Sequence, residues 1–392
     1  MTPMTFRLAL HATAICLLAL ASPTAARAGE AAAATAADPN REARAIVADL
    51  ERIVAPHGVQ ETFAAPIGGL QQWVSVRGKD RAHPLLLFVH GGPASPSMPI
   101  AWTFQRPWED YFTVVNWDQR GAGKTYVANP PERVGPTLHI DRYVDDTIEM
   151  IEFLCKRYGK RKVVLVGHSW GTIVALKAAL RRPDLIHAYV GIGQVINMAD
   201  NERLSYEYAL RESRKAGNRE AIRDLEALAP YPGDAPLTRE RIIRERKWAQ
   251  LYSGLSAYRT DSAFYFDAPK LAPEYDAADR AAIDQGNELT LGRILAEWSA
   301  VDFNPVHDVP FPVFMFMGRY DQTTPSAPTA RWLDAVAAPV KRAVWFEHSA
   351  HLAPIEEPGR TLVHLVEDVL PLARDGEPDA GGAQPAADAR QW

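Results

Sequence analysis

Gly167-His168-Ser169-Trp170-Gly171 directly follows the apolar run Val163-Val164-Leu165-Val166 and directly precedes a stretch, Gly171 to Leu180, with helical spacing. A serine between a buried strand and a helix sits on a tight turn whose strained backbone pushes the hydroxyl outward. The flanking glycines are needed because neighbouring chains come too close for side chains. Free N–H groups at the start of the helix face any negative charge that develops beside it. A chance Gly-Ser turn has the same five letters, and the strand before and helix after are what separate the two readings. The context marks Ser169 as a candidate nucleophile.

The rest of the chain repeats the strand-then-helix unit. Leu85 to Val89, Phe112 to Trp117, Ala188 to Ile192, Val313 to Met317 and Arg342 to Phe346 are short runs rich in branched and aromatic residues, as strands buried on both faces should be. Helical stripes fall at Arg41 to Val54, Asp141 to Tyr158, Pro328 to Val336 and Ile355 to Leu370. This alternation predicts an α/β fold, a mostly parallel sheet flanked by helices. Between residues 197 and 305 it stops. There, Leu204 to Ala216, Arg219 to Leu228 and Arg239 to Tyr252 carry helical spacing without a self-similar period, so an inserted helical cap is expected rather than a repeat array. The core is then split into 41–196 and 306–373, and an Ala/Asp/Gly/Pro tail is expected over 374–392.

At the N-terminus, Arg7 precedes the apolar run Leu8 to Ala21, and Ala26-Arg27-Ala28 places small residues where a signal peptidase cuts. Residues 1–28 are expected to be a cleaved signal peptide, which implies a secreted or periplasmic protein with no stable membrane insertion after cleavage. Of the two cysteines, Cys16 lies in that leader, so the mature chain keeps Cys155 and no internal disulfide. The formal charge of −5 becomes −7, because the leader removes two arginines and no acid, and an acidic balance argues against a general nucleic-acid binder. At 47% hydrophobic and 23% charged, the composition also argues against wholesale disorder.

A serine hydroxyl needs a base within hydrogen-bond reach and an acid to orient that base. Asp321 follows the Val313 to Met317 strand, and His351 follows the last strand. The order Ser169, Asp321, His351 is the one expected of a nucleophile on this kind of turn. His348 competes for the base role, and Asp302 and Asp308 are weaker acids because they precede their strand. His90-Gly91-Gly92-Pro93 ends the first strong strand, so the Gly92 N–H, with that of Trp170, is the expected pair of oxyanion donors. Gly121-Ala122-Gly123-Lys124-Thr125 resembles a phosphate loop but has Asp118 where the first glycine belongs. Asp118 and Arg120 are expected instead to form a structural ion pair.

Together, His90-Gly91-Gly92-Pro93, Asp118-Gln119-Arg120-Gly121, Ser169-Trp170-Gly171 and Gly318-Arg319-Tyr320-Asp321 resemble the α/β-hydrolase fold and, within it, the proline iminopeptidase family of serine aminopeptidases. The resemblance covers about Leu70 to Leu370, the cap only loosely. It implies the triad Ser169, Asp321 and His351, oxyanion donors Gly92 and Trp170, release of an N-terminal proline or another small residue from peptides, and no metal or organic cofactor. Ala94, Ala122 and His168 depart from the family pattern without removing chemistry. In such peptidases, acids in the cap pair with the free α-amine. Glu202 is in a position resembling the first of these, while Glu207, Glu245 and Glu297 are candidates for the second. A carboxylesterase acting on small esters would use the same triad without such an acid.

Overall fold

The computed structural model describes residues 38–234 and 236–374. The expected leader and, beyond Arg374, the expected tail lie outside the described residues.

Eight strands form one sheet in the order β1-β2-β4-β3-β5-β6-β7-β8. β3 (Leu85–Val89), β4 (Thr113–Trp117), β5 (Val163–His168), β6 (Ile186–Ile192), β7 (Val313–Gly318) and β8 (Lys341–Phe346) run parallel. Every residue of β3, β4, β6 and β7 is buried, as two covered faces require. Alternate side chains feed two cores. Leu85, Leu87, Val163 and Leu165 point to one face, and Leu86, Phe88, Val164 and Val166 to the other.

The hairpin of β1 (Val59–Ile67) and β2 (Leu70–Gly78) adds two antiparallel strands at one edge. The sequence carries little signal for β1, because Gln60, Glu61 and Thr62 weaken the apolar pattern on a half-exposed edge strand. Its turn is made by Gly68 and Gly69, with φ of +55° and +75°.

Between β6 and β7 the chain forms helices Met198–Lys215, Arg219–Glu226, Arg239–Leu251, Ala263–Asp267 and Ala277–Ser299. The insertion leaves and returns at one point. Met198 N–H donates to Val301 O at 3.0 Å, and Phe303 N–H to Ile196 O at 2.7 Å, around a bridge between Asn197 and Asp302. Ala277–Ser299, the longest of these helices, has no counterpart in the sequence reading. Its buried residues Asp279, Ala282, Gly286, Thr290, Leu291, Ile294 and Trp298 share one face, but polar and small residues interrupt that face, with Gly286 pressed so close to Gly121 O that a Cβ would lie 2.1 Å away, and so the sequence shows no clear apolar stripe. A capping box of Asp276 and Asp279 starts it. The helix expected over Ile355 to Leu370 is broken at Pro358 and passes through a π-turn at Leu365–Val369. No helix among the described residues is long and apolar enough to cross a membrane.

Candidate active site

Ser169 sits between β5 and the helix Trp170–Arg181 with φ +54° and ψ −124°, a strained conformation for a residue with a side chain. The glycines around it leave no room for a Cβ, which would lie 2.0 Å from Val89 O at Gly171 and 2.8 Å from Thr172 Cα at Gly167. Tight packing of β3 and the helix start therefore forces the turn, and Gly91 lies against the Ser169 side chain.

Asp321 and His351 lie just beyond the ends of β7 and β8, and both are buried. His351 Nδ1–H donates to Asp321 Oδ2 at 2.9 Å. Asp321 is itself held, since Oδ1 accepts the N–H groups of Thr323 (2.9 Å) and Thr324 (2.8 Å), and Oδ2 accepts the Thr324 hydroxyl (2.9 Å). The two loops meet because Gly318 packs directly on Ala350 O, where a Cβ would be 1.9 Å away. His351 N–H donates to Leu255 O, and Glu356 binds the N–H groups of Ala350, Leu352 and, from the cap, Ala257. Of the two candidate bases, His351 faces Ser169 across a shared cavity, while His348 is exposed beside Tyr258. Asp302 and Asp308 lie elsewhere, Asp302 in the stem of the cap and Asp308 in a bridge to Ala337.

The Gly92 and Trp170 N–H groups donate to no protein acceptor among the described residues, and both residues line the cavity. Gly92 has φ +117° and no room for a Cβ. Behind these two, Gln119 ties the loops together, a contribution that single-residue motifs did not reveal. Its side-chain amide donates to His90 O at 2.9 Å and its carbonyl accepts Trp170 Nε1–H at 3.2 Å. Burial holds His90 neutral, its pKa pushed down to about 4; Nδ1 donates to Gly91 O, and Nε2 accepts the Gln119 N–H.

The expected Asp118–Arg120 pair does not form. Arg120 makes a bidentate pair with Asp146, whereas Asp118 accepts the Lys124 N–H and the Tyr275 hydroxyl. The Lys124 ammonium is held by Asp279 and lies over the Trp73 and Tyr275 rings, which commits the phosphate-loop look-alike to structure.

The cavity holds about 240 Å³ and is walled largely by apolar side chains such as Val195, Met198, Ile242, Leu291 and Trp298. Glu202, expected to meet a substrate amine, is fully buried behind this wall. Its Oε1 accepts from Arg246 and from Asn201 Nδ2 (3.2 Å), and its Oε2 accepts the Tyr231 hydroxyl (2.5 Å). Glu245 is buried on the other side of Arg246 and accepts the Ser205 hydroxyl at 2.8 Å. Burial pushes its pKa up. Glu207 pairs with Arg203 on the surface, and Glu297 accepts the first N–H of the helix Ile140–Tyr158. Among the described residues no group of three or more His, Cys, Asp or Glu side chains is placed to hold a metal ion.

Residues 84–358 match the family model described as alpha/beta hydrolase fold. The chain is 32% identical over 298 residues to a protein of Bacillus subtilis named probable aminopeptidase YbaC, covering 74% of this chain and 91% of that one. It is 24% identical to a proline iminopeptidase of Neisseria gonorrhoeae, over 73% and 88% of the two chains. The solved proline iminopeptidase of Mycobacterium smegmatis superposes with a TM-score of 0.57 at 18% identity, over 81% of this chain and all of that one. A strained serine at a strand-to-helix turn, an acid and a base on the following strand ends, and this breadth of similarity converge: the chain belongs to the α/β-hydrolase fold family.

Proposed function

We propose that the protein is a serine aminopeptidase that releases an N-terminal proline or another small residue from peptides through an acyl-enzyme. The observation that carries this reading is the buried Asp321–His351 hydrogen bond facing the same capped cavity as Ser169. Similarity to a probable aminopeptidase across three quarters of the chain supports the amide-cleaving assignment. In this mechanism Ser169 Oγ attacks the carbonyl carbon while His351 Nε2 takes its proton, and Asp321 fixes the imidazole and stabilises its charge. The oxyanion is received by the Gly92 and Trp170 N–H groups. His351 then passes the proton to the leaving amine, and water hydrolyses the acyl-enzyme by the same route. A cavity of about 240 Å³ with rigid apolar walls suits a small N-terminal side chain. The charged N-region, apolar run and Ala26-Arg27-Ala28 support export of the enzyme to the periplasm or medium.

The test offers purified protein prolyl and alanyl arylamides beside short and long nitrophenyl esters, with Ser169→Ala as control. Arylamide turnover lost in the control is expected. Ester hydrolysis with no arylamide turnover would make the protein a carboxylesterase instead.

A further inference from the structure

Not one of the residues lining the catalytic cavity is an aspartate or glutamate. Behind its cap wall, Glu202 and Glu245 are both fully buried, and each is engaged by Arg246, whose guanidinium stands between them and reaches the cavity wall. Glu202 has a partner on both oxygens. A substrate ammonium entering this cavity therefore meets Arg246 before it meets a carboxylate, and it needs another acceptor to offset its lost hydration.

Asn201 is placed to be that acceptor. It lies on the first turn of the helix Met198–Lys215, is 5% exposed, and lines the cavity. Its Nδ2 donates to Glu202 Oε1 at 3.2 Å and to Thr323 O at 3.1 Å. Both neighbours are pure acceptors, so the orientation of the amide is fixed by chemistry: nitrogen toward Glu202 and Thr323, oxygen away from them. Asn201 Oδ1 has no protein donor among the described residues. Two other amides reach the same wall. The Asn287 side chain is spent on Pro93 O and Arg239, and the Gln250 side chain is anchored by no hydrogen bond among the described residues. Asn201 is thus the amide held in advance, and Thr323 ties it to the loop that carries Asp321.

We propose that Asn201 Oδ1 receives the free α-amine of the substrate, and that Glu202 acts through Asn201 as a positioning residue rather than by direct contact. The inference rests on the aminopeptidase reading. Behind the amide, Glu202 Oε1 accepts from Asn201 Nδ2, and this hydrogen bond to a carboxylate holds the amide and polarises its oxygen toward a cation.

The experiment compares wild type, Asn201→Ala and Glu202→Gln on a prolyl arylamide, its N-acetyl derivative and a nitrophenyl ester without an amine. The wild type should cleave the free-amine arylamide well and the acetylated one poorly. Asn201→Ala should lose roughly tenfold to a hundredfold in kcat/KM on the free-amine substrate, mainly through KM, and several-fold less than that on the ester, whose turnover reports the triad. Glu202→Gln can still accept from Asn201 and should lose less. A larger loss in Glu202→Gln than in Asn201→Ala, an equal loss on arylamide and ester, or an undiminished amine preference in Asn201→Ala would each overturn the proposal. Failure of the aminopeptidase reading shows separately, in a wild type that cleaves esters and no arylamide.

Discussion

His168 Nε2 donates to the backbone carbonyl of His351 at 3.0 Å, and the two imidazole rings lie 4.8 Å apart. Because a carbonyl can only accept, His168 carries its proton on Nε2. Burial, reinforced by the nearby His351, pushes its pKa down to about 3. It therefore stays neutral in the proposed mechanism, in which His351 takes up and gives back a proton. His168→Ala should lower kcat by roughly tenfold by loosening the base loop, and His168→Gln, which keeps a donor, should recover part of the loss. Steady-state kinetics on an arylamide and an ester check this; full activity in the alanine variant would remove His168 from the site.

The acid is over-determined by four hydrogen bonds, so its substitution should separate charge from geometry. Asp321→Asn is expected to keep the fold and lower kcat by about 10⁴, since an amide favours the wrong imidazole tautomer. Thr324→Val removes one hydroxyl that lies 2.9 Å from Asp321 Oδ2 and 3.1 Å from His351 Nδ1, and should cost about tenfold. His348→Ala should leave turnover intact, whereas His351→Ala should abolish it. The reverse pattern would reassign the base.

Gly193, just beyond β6, forms a floor under the His351 imidazole. Its φ is +56°, and a Cβ there would lie 2.9 Å from both His351 Cε1 and Nδ1. Gly193→Ala should reduce kcat by a hundredfold or more, on the order expected for a misplaced catalytic group, with a smaller change in KM. Unchanged kinetics would mean that the imidazole does not rest there in the working enzyme.

Asp118 gives stability a pH dependence of known sign. Burial raises its pKa from 3.8 to about 7, and its Oδ1 has no hydrogen-bond donor to stabilise the charged form. Between about pH 4 and 7 the folded chain holds that proton and the unfolded chain has released it, so stability falls as pH rises through this window. Asp118→Asn removes the effect. Urea unfolding at several pH values should show the wild type losing ground to the variant from pH 4 to 7, by a few kcal/mol at most, and then holding constant. A pH-independent difference would contradict this account.

How much of this was legible in the sequence depended on how local the determinant was. The nucleophile turn is written in five adjacent residues and two flanking runs, and the buried parallel strands announce themselves as continuous apolar segments. Asp321 and His351 could be placed from strand order alone. Arg120 could not be paired correctly, because Asp118 and Asp146 compete for it and Asp146 wins through a helix that sequence neighbours say nothing about. The surroundings of Glu202 are illegible for a similar reason. Its position in the cap resembled an amine-binding acid, but the side chain that neutralises it, Arg246, is contributed by a different helix. Ala277–Ser299 has no amphipathic period to detect because its buried face carries Asp279, Gly286 and Thr290 among the apolar residues.

The cap enters and leaves the sheet through two backbone hydrogen bonds beside the Asn197–Asp302 bridge. With its ends so close, the insertion can grow or shrink at little cost to the strands it interrupts, since each doubling of its length adds only about 0.6 kcal/mol of closure entropy. The helices over the cavity are thus free to diverge in evolution, and one catalytic sheet can be fitted with many different lids.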